Sequence, residues 1–394
     1  MQKRLTAAAV AVCILLTGCS NGNTEDDGYK IFSDGTYVLQ EEEIPEDIGN
    51  DFADFYIPEG MLMDYCSSGF TAEEQELYGS ITESLGTLTD RMPLATEAGV
   101  YEKILKTIRI ENLAYPHVTK YWTEYNGGFD VVVKYRMTAD EISSMNMAAE
   151  KAAQEIVAQL TPDMDNYEKL KFFHDYLILN CETDKTYAFA DTVYGALVEK
   201  KALCEGYSKA FAYLCNLAGI ENAIVTGETY VPHMWNMVKL DGNWYHVDVT
   251  WDKPTDELHK HFPDVILYQY FMVTDSVIKN THIIDSAPFN PPQAFGTAEN
   301  YFSREGTDIS SRGELLTASE NAILSAVQNG RTSAMVKFDT TDVMLSCTND
   351  LVDESLFNPI IEKARLEYGQ NIMLSWTDYY GQYRILTFVI EYIE

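Results

Sequence analysis

The chain is short of positive charge. Its 394 residues hold 28 lysines and arginines against 61 acidic residues, a formal net charge of −33. Such a chain repels nucleic acid, because no counterion release would drive the two together. The same shortage excludes a basic patch for anionic lipid. Long apolar runs are also missing: no segment offers the ~18 uninterrupted apolar residues that a membrane-spanning helix needs. No Cys-x-x-Cys pair occurs among the seven cysteines. Structural zinc and a regular disulfide framework are therefore not expected. Calcium-loop spacing of acidic residues is absent as well, so no cofactor and no metal is expected.

What is present is ordinary globular composition, 46% hydrophobic and 23% charged. The length exceeds what one core usually serves, so several domains are expected. Lys3 and Arg4 precede a short apolar run, Leu5 to Leu16, that closes with Leu16-Thr17-Gly18-Cys19. This pattern resembles the lipobox of bacterial lipoproteins. The resemblance implies cleavage after residue 18, lipid on Cys19, and an extracytoplasmic protein held to the membrane by that lipid. Residues 19–56 are polar and acidic, with Glu25-Asp26-Asp27 and Glu41-Glu42-Glu43, and read as a stalk. After Cys13 and Cys19, five cysteines remain: Cys66, Cys181, Cys204, Cys215 and Cys347. An odd number leaves at least one outside any intramolecular pair.

Residues 57–162 form a first block. Helical periodicity covers residues 74–89 and 97–112, and strands are expected over 118–125 and 128–137 around Asn126-Gly127, a hairpin signature. Thr138 with Glu141 three residues on is a capping box that opens a helix to Leu160. Pro162 breaks it, and residues 163–290 form a second block. Helices are expected over 167–179, with Leu170, Phe173, Tyr176 and Leu177 on one face, and over 202–217, ended by Gly219. Short strands follow at 223–226, 234–240, 243–249 and 268–273, with Asp241-Gly242 as a second hairpin signature. Residues 291–313 read as a linker, and 314–394 as a small α/β unit: helices near 319–328 and 359–368, strands near 333–338, 372–376 and 384–392.

The chemistry concentrates in the second block. Cys204 stands at the start of a helix, where unpaired N–H groups and the helix dipole favour a thiolate and could hold an oxyanion. Glu205 opposes a thiolate if its side chain points at the sulfur, so it is expected to point away. Gly206 lets a substrate backbone come close. Cys215, deep in the same helix, reads as apolar filler. His233 opens the next strand, and imidazole is the usual general base. A partner strand can bring Asp248 beside it, where a carboxylate fixes the tautomer. His246 lies two residues from Asp248, on the same strand face, and on spacing alone competes for the part of base.

Tyr194-Gly195-Ala196-Leu197 and Ala202-Leu203-Cys204-Glu205-Gly206-Tyr207-Ser208-Lys209-Ala210-Phe211 resemble the nucleophile segment of the transglutaminase-like superfamily. So do His233-Met234-Trp235-Asn236 and Asp241-Gly242-Asn243-Trp244-Tyr245-His246-Val247-Asp248-Val249-Thr250-Trp251. The resemblance covers about residues 165–275. It implies an α+β fold, in which a nucleophile helix packs on an antiparallel sheet, with accessory α/β domains on either side. It also implies a papain-like triad of Cys204, His233 and Asp248, which leaves His246 outside the reaction. Ser208 departs from the small alanine common at its position. Tyr194 is a candidate second oxyanion donor, and Trp235, Trp244 and Trp251 are candidate cleft walls. The implied activity is acyl transfer through a thioester on proteins or peptides. With water as acceptor the enzyme is a protease or amidase, and with a lysine amine it cross-links proteins. A non-catalytic surface-binding module using the same cleft is the alternative of a different class. The sequence fixes no oligomeric state.

Overall fold

The computed structural model describes residues 29–31, 37–39, 55–93, 98–114, 118–125, 129–254, 265–286, 291–380 and 384–393. Cys13, Cys19, most of the acidic stretch and the Asn126-Gly127 turn lie outside the described residues. No helix among the described residues is long and apolar enough to cross a membrane. The chain divides into two compact units, Met1–Asp241 with Lys279–Gln293, and Gly242–Ile278 with Ala294–Glu394. Helices and mainly antiparallel sheets make it an α+β protein, as the sequence implies.

In the first unit, β1 (Tyr29–Ile31) and β2 (Tyr37–Leu39) form an antiparallel pair. Helix α1 (Ala72–Gly86) starts at a Thr71–Glu74 capping box, and α2 (Ala98–Glu111) follows the short strand β3 (Arg91–Pro93). Strands β4 (Val118–Tyr125) and β5 (Phe129–Tyr135) pair antiparallel, and β3 joins the other edge of β5. Ile81 and Leu85 of α1, Ile104 and Ile108 of α2, and Val131 and Val133 of β5 share one core. Helix α3 (Ala139–Val157) opens at the expected Thr138–Glu141 capping box. Helix α4 (Asn166–Asn180) opens at a further one, Asp165–Glu168, and buries Leu170, Phe173 and Leu177.

Helix α5 (Cys204–Leu217) is buried on every face from Cys204 to Cys215. It packs on strands β6 (Asn222–Glu228) and β7 (Pro232–Leu240), and its buried polar residues Glu205, Ser208 and Lys209 are paired. Those strands pair antiparallel, with His233 opposite Gly227, and Ile283–Ile284 adds to the other edge of β6. Helix α5 begins two residues later than the periodicity suggests. Lys201–Ala202 is taken up in a parallel pairing with Glu182–Thr183, and Leu203 is extended.

Beyond β7 the chain turns at Asp241 and Gly242, whose φ angles of 49° and 79° are those of a two-residue hairpin turn. In the second unit, β8 (Asn243–Val247) pairs antiparallel with β9 (Phe271–Val273) through an irregular register at His246 and Val247. The C-terminal part holds α6 (Leu315–Gln328), β10 (Ser333–Phe338), α7 (Asn358–Tyr368), β11 (Ile372–Tyr380) and β12 (Ile385–Tyr392). Strand β12 lies between β10 and β11, and Asp308–Ile309 joins β10 in parallel. Ile323 and Val327 of α6, Ile360 of α7, Val336 and Phe388 build one core there.

Candidate active site

Cys204 is the first residue of α5, and Leu203, its N-cap, makes no side-chain capping bond. The first-turn amides are therefore not answered by a capping side chain, which is the arrangement that favours an anion at this end. Cys204 is buried. Cys66, Cys181, Cys215 and Cys347 are buried thiols. Burial pushes Cys66 and Cys215 well above the usual thiol range, with Glu111 adding to the effect at Cys66. These groups resist becoming thiolates, as structural cysteines do.

One turn beyond Cys204, Ser208 Oγ donates to the Met234 carbonyl at 2.9 Å, and Asn236 Nδ2 donates to the Ser208 carbonyl at 3.0 Å. These two bonds clamp α5 to β7 beside His233, so helix start and strand start are neighbours. The departure from alanine at 208 thus has a function: the hydroxyl ties nucleophile helix to histidine strand.

His233 is buried, and its ring lies parallel to that of Trp235 with centroids 5.8 Å apart. His282, also buried, packs against both, 5.5 Å from His233 and 5.1 Å from Trp235. Thr281 Oγ1 lies 2.8 Å from His282 Nδ1. The two imidazoles are nitrogen donors of the kind a metal ion binds. Trp235, a candidate cleft wall, is only 1% exposed; it acts on the site through His233. Gly227 makes room for this stack. A Cβ there would stand 2.1 Å from the Ile283 carbonyl oxygen and 2.8 Å from the Trp235 ring.

Gly206 is needed for packing of the chain on itself. A Cβ at this position would stand 2.2 Å from the Ala190 carbonyl oxygen, which also accepts from the Leu203 amide at 2.8 Å. Tyr194, the candidate oxyanion donor, gives its hydroxyl to Glu199 Oε1 at 2.7 Å, and that carboxylate pushes the phenol up to about 12.

In the second unit, Asp248 is fully buried, and its Oδ1 accepts from the amides of Thr250 at 3.0 Å and Trp251 at 3.1 Å. Backbone amides hold its carboxylate in one orientation. His246, the competing base, is buried with Nε2 3.0 Å from Asp275 Oδ1, which also accepts from the Ala294 amide at 3.0 Å. Trp244 is half-buried, and Trp251 meets Tyr270 edge to face at 5.6 Å.

His282 and the partners of Glu205 leave no signal in the sequence. His282 stands alone in its segment, with no motif about it. Glu205 is buried and bonded to Arg109 of α2 and Lys209 of α5, and nothing in the local pattern announces a pairing across 96 residues.

Residues 150–249 match the family described as the transglutaminase-like superfamily. The chain is also similar to the kyphoscoliosis peptidase of Homo sapiens, 26% identical over 155 residues that cover 35% of this chain and 23% of the other. Its counterpart in Mus musculus is 23% identical over 176 residues, 40% of this chain and 26% of the other. The chain thus spans about a quarter of the length of these curated relatives. A solved structure described as a TGase is 16% identical, covers 44% of this chain and 55% of its own, and has a TM-score of 0.25.

Proposed function

We propose that the chain, whose residues 150–249 match the transglutaminase-like superfamily, is a thiol-dependent acyl-transfer enzyme that cleaves amide bonds of proteins or peptides. The observation that carries the reading is Cys204 at the first position of a buried helix with no capping side chain, clamped beside the strand that carries His233 near its start. In the reduced enzyme, His233 takes the Cys204 proton and the thiolate attacks the amide carbonyl. First-turn amides of α5 receive the oxyanion. His233 returns the proton to the leaving amine, which departs and leaves a thioester on Cys204. His233 then deprotonates water, which attacks the thioester, and the carboxylic acid leaves as the thiol is restored. Asp248, its own carboxylate held by two backbone amides, is the proposed orienter of His233.

Water is favoured over a lysine amine as the acceptor. Lysine side chains with a reference pKa of about 10.4 are almost wholly protonated near neutral pH, whereas water is everywhere. The similarity to proteins named as peptidases agrees with hydrolysis. Attachment to the outer face of the membrane through lipid on Cys19 completes the proposal.

The test is to incubate reduced wild-type and Cys204→Ala protein with a proteome-derived peptide library and a biotinylated primary amine. Hydrolysis gives new peptide termini only with wild type. Amine incorporation without new termini makes the enzyme a cross-linker, and neither product makes the cleft a binding site.

A further inference from the structure

Glu205 follows the nucleophile in the first turn of α5, yet it is only 2% exposed. A buried carboxylate is costly unless paired, and a negative charge beside Cys204 opposes the thiolate. Both problems are met by the same two cations. The Arg109 guanidinium forks onto the carboxylate, with Nε to Oε1 at 3.0 Å and Nη2 to Oε2. Lys209 Nζ lies 2.8 Å from Oε1, with 7% of its side chain exposed. One negative and two positive charges leave a net positive charge at the foot of the nucleophile helix.

We propose that Arg109, Glu205 and Lys209 are positioning residues that set the charge at the start of α5, so that helix α2 governs how readily Cys204 becomes a thiolate. The proposal rests on the reading of Cys204 as the nucleophile. Arginine suits the role because its planar fork fixes both carboxylate oxygens at once, whereas a lysine would hold one. Burial works to raise the Glu205 carboxyl, but Arg109 and Lys209 outweigh it and hold the group down at about 2. The carboxylate is therefore charged throughout the range in which a cysteine enzyme works. Arg109 faces it from α2 and Lys209 from α5 itself, while on the neighbouring β7 the titratable groups are His233 and Lys239, the latter paired with Glu221.

The experiment is the pH profile of Cys204 carbamidomethylation by iodoacetamide in the reduced full-length chain, read by peptide mass spectrometry. Arg109→Met is expected to raise the midpoint by about one pH unit, because a positive charge is lost in a poorly solvated place. Glu205→Gln is expected to lower it. The double variant Arg109→Met, Glu205→Gln restores the net charge and is expected to return the midpoint to wild type, and Arg109→Lys is expected to stay close to it. A purely structural role would not produce opposite shifts that cancel. Equal midpoints in the folded variants overturn the proposal. If Arg109→Met fails to fold, Glu205→Gln decides: a lowered midpoint supports the proposal and an unchanged one overturns it. Wild-type Cys204 that labels no faster than the other cysteines overturns the nucleophile reading, and this inference with it.

Discussion

Ser208 and Met234 are joined by a 2.9 Å hydrogen bond from hydroxyl to carbonyl, and both residues are buried. Through it, the helix that begins at Cys204 is fixed to the strand residue next to His233. Ser208→Ala removes the donor and leaves the carbonyl one partner short. It is expected to cost about 1 kcal/mol of stability, measured by denaturant unfolding, with a modest loss of activity. A stability equal to wild type would remove the clamp from the account.

Gly206→Ala is expected to be much worse. The added Cβ would meet the Ala190 carbonyl oxygen at 2.2 Å, and neither backbone can move without shifting the start of α5. A stability loss of about 1–3 kcal/mol is expected, with activity falling further than stability explains because Cys204 moves too. An active, fully stable Gly206→Ala protein would show that the helix start tolerates displacement.

The two acid–histidine candidates in the second unit separate cleanly by substitution. Asp248→Asn should fold and lose roughly 10²–10⁴-fold in activity, since an amide cannot stabilise imidazolium. His246→Ala leaves Asp275 without its buried partner and should lose about 3 kcal/mol of stability, while the folded fraction stays active. The reverse pattern, an inactive His246→Ala and an active Asp248→Asn, would make His246 the base and remove Asp248 as orienter.

Glu205 also makes stability depend on pH. Its folded carboxyl is held at about 2, against about 4.3 in an unfolded chain. A depressed pKa contributes stability that is present above the unfolded value and is lost as pH falls through the folded one. The difference in unfolding free energy between wild type and Glu205→Gln should therefore shrink as pH falls from about 5 to about 2. A difference constant across that window would mean that Glu205 is not ionised in the fold.

Much of this was legible in the sequence because the signals are local. The Thr138–Glu141 capping box starts α3 where expected, since both partners lie within one turn. Asp241 and Gly242 take the positive φ values that the dipeptide suggests. Segments around Cys204 and His233 carried enough pattern for the family to be read, and residues 150–249 match it. What stayed hidden depends on distance along the chain. Arg109 reads as an ordinary last-turn helix charge, and only the fold brings it to Glu205. The Ala190 carbonyl that makes Gly206 necessary and the His282 ring beside His233 are likewise tertiary facts. His246 shows the limit of alternation: period two assigns it a strand face, but Asp275, from elsewhere in the chain, settles its partner.

Anchoring has its own test. Cys19→Ala should release the chain from the membrane fraction or block its processing. Unchanged fractionation with normal N-terminal cleavage would remove the lipid from the proposal.

Competitive labelling tests whether Cys204 is the nucleophile. Reduced full-length protein is treated briefly with limiting iodoacetamide at neutral pH, and each cysteine is quantified by peptide mass spectrometry. Cys204 is expected to label at least about ten times faster than Cys66, Cys181, Cys215 and Cys347, the buried thiols. Labelling of Cys204 no faster than theirs would contradict it.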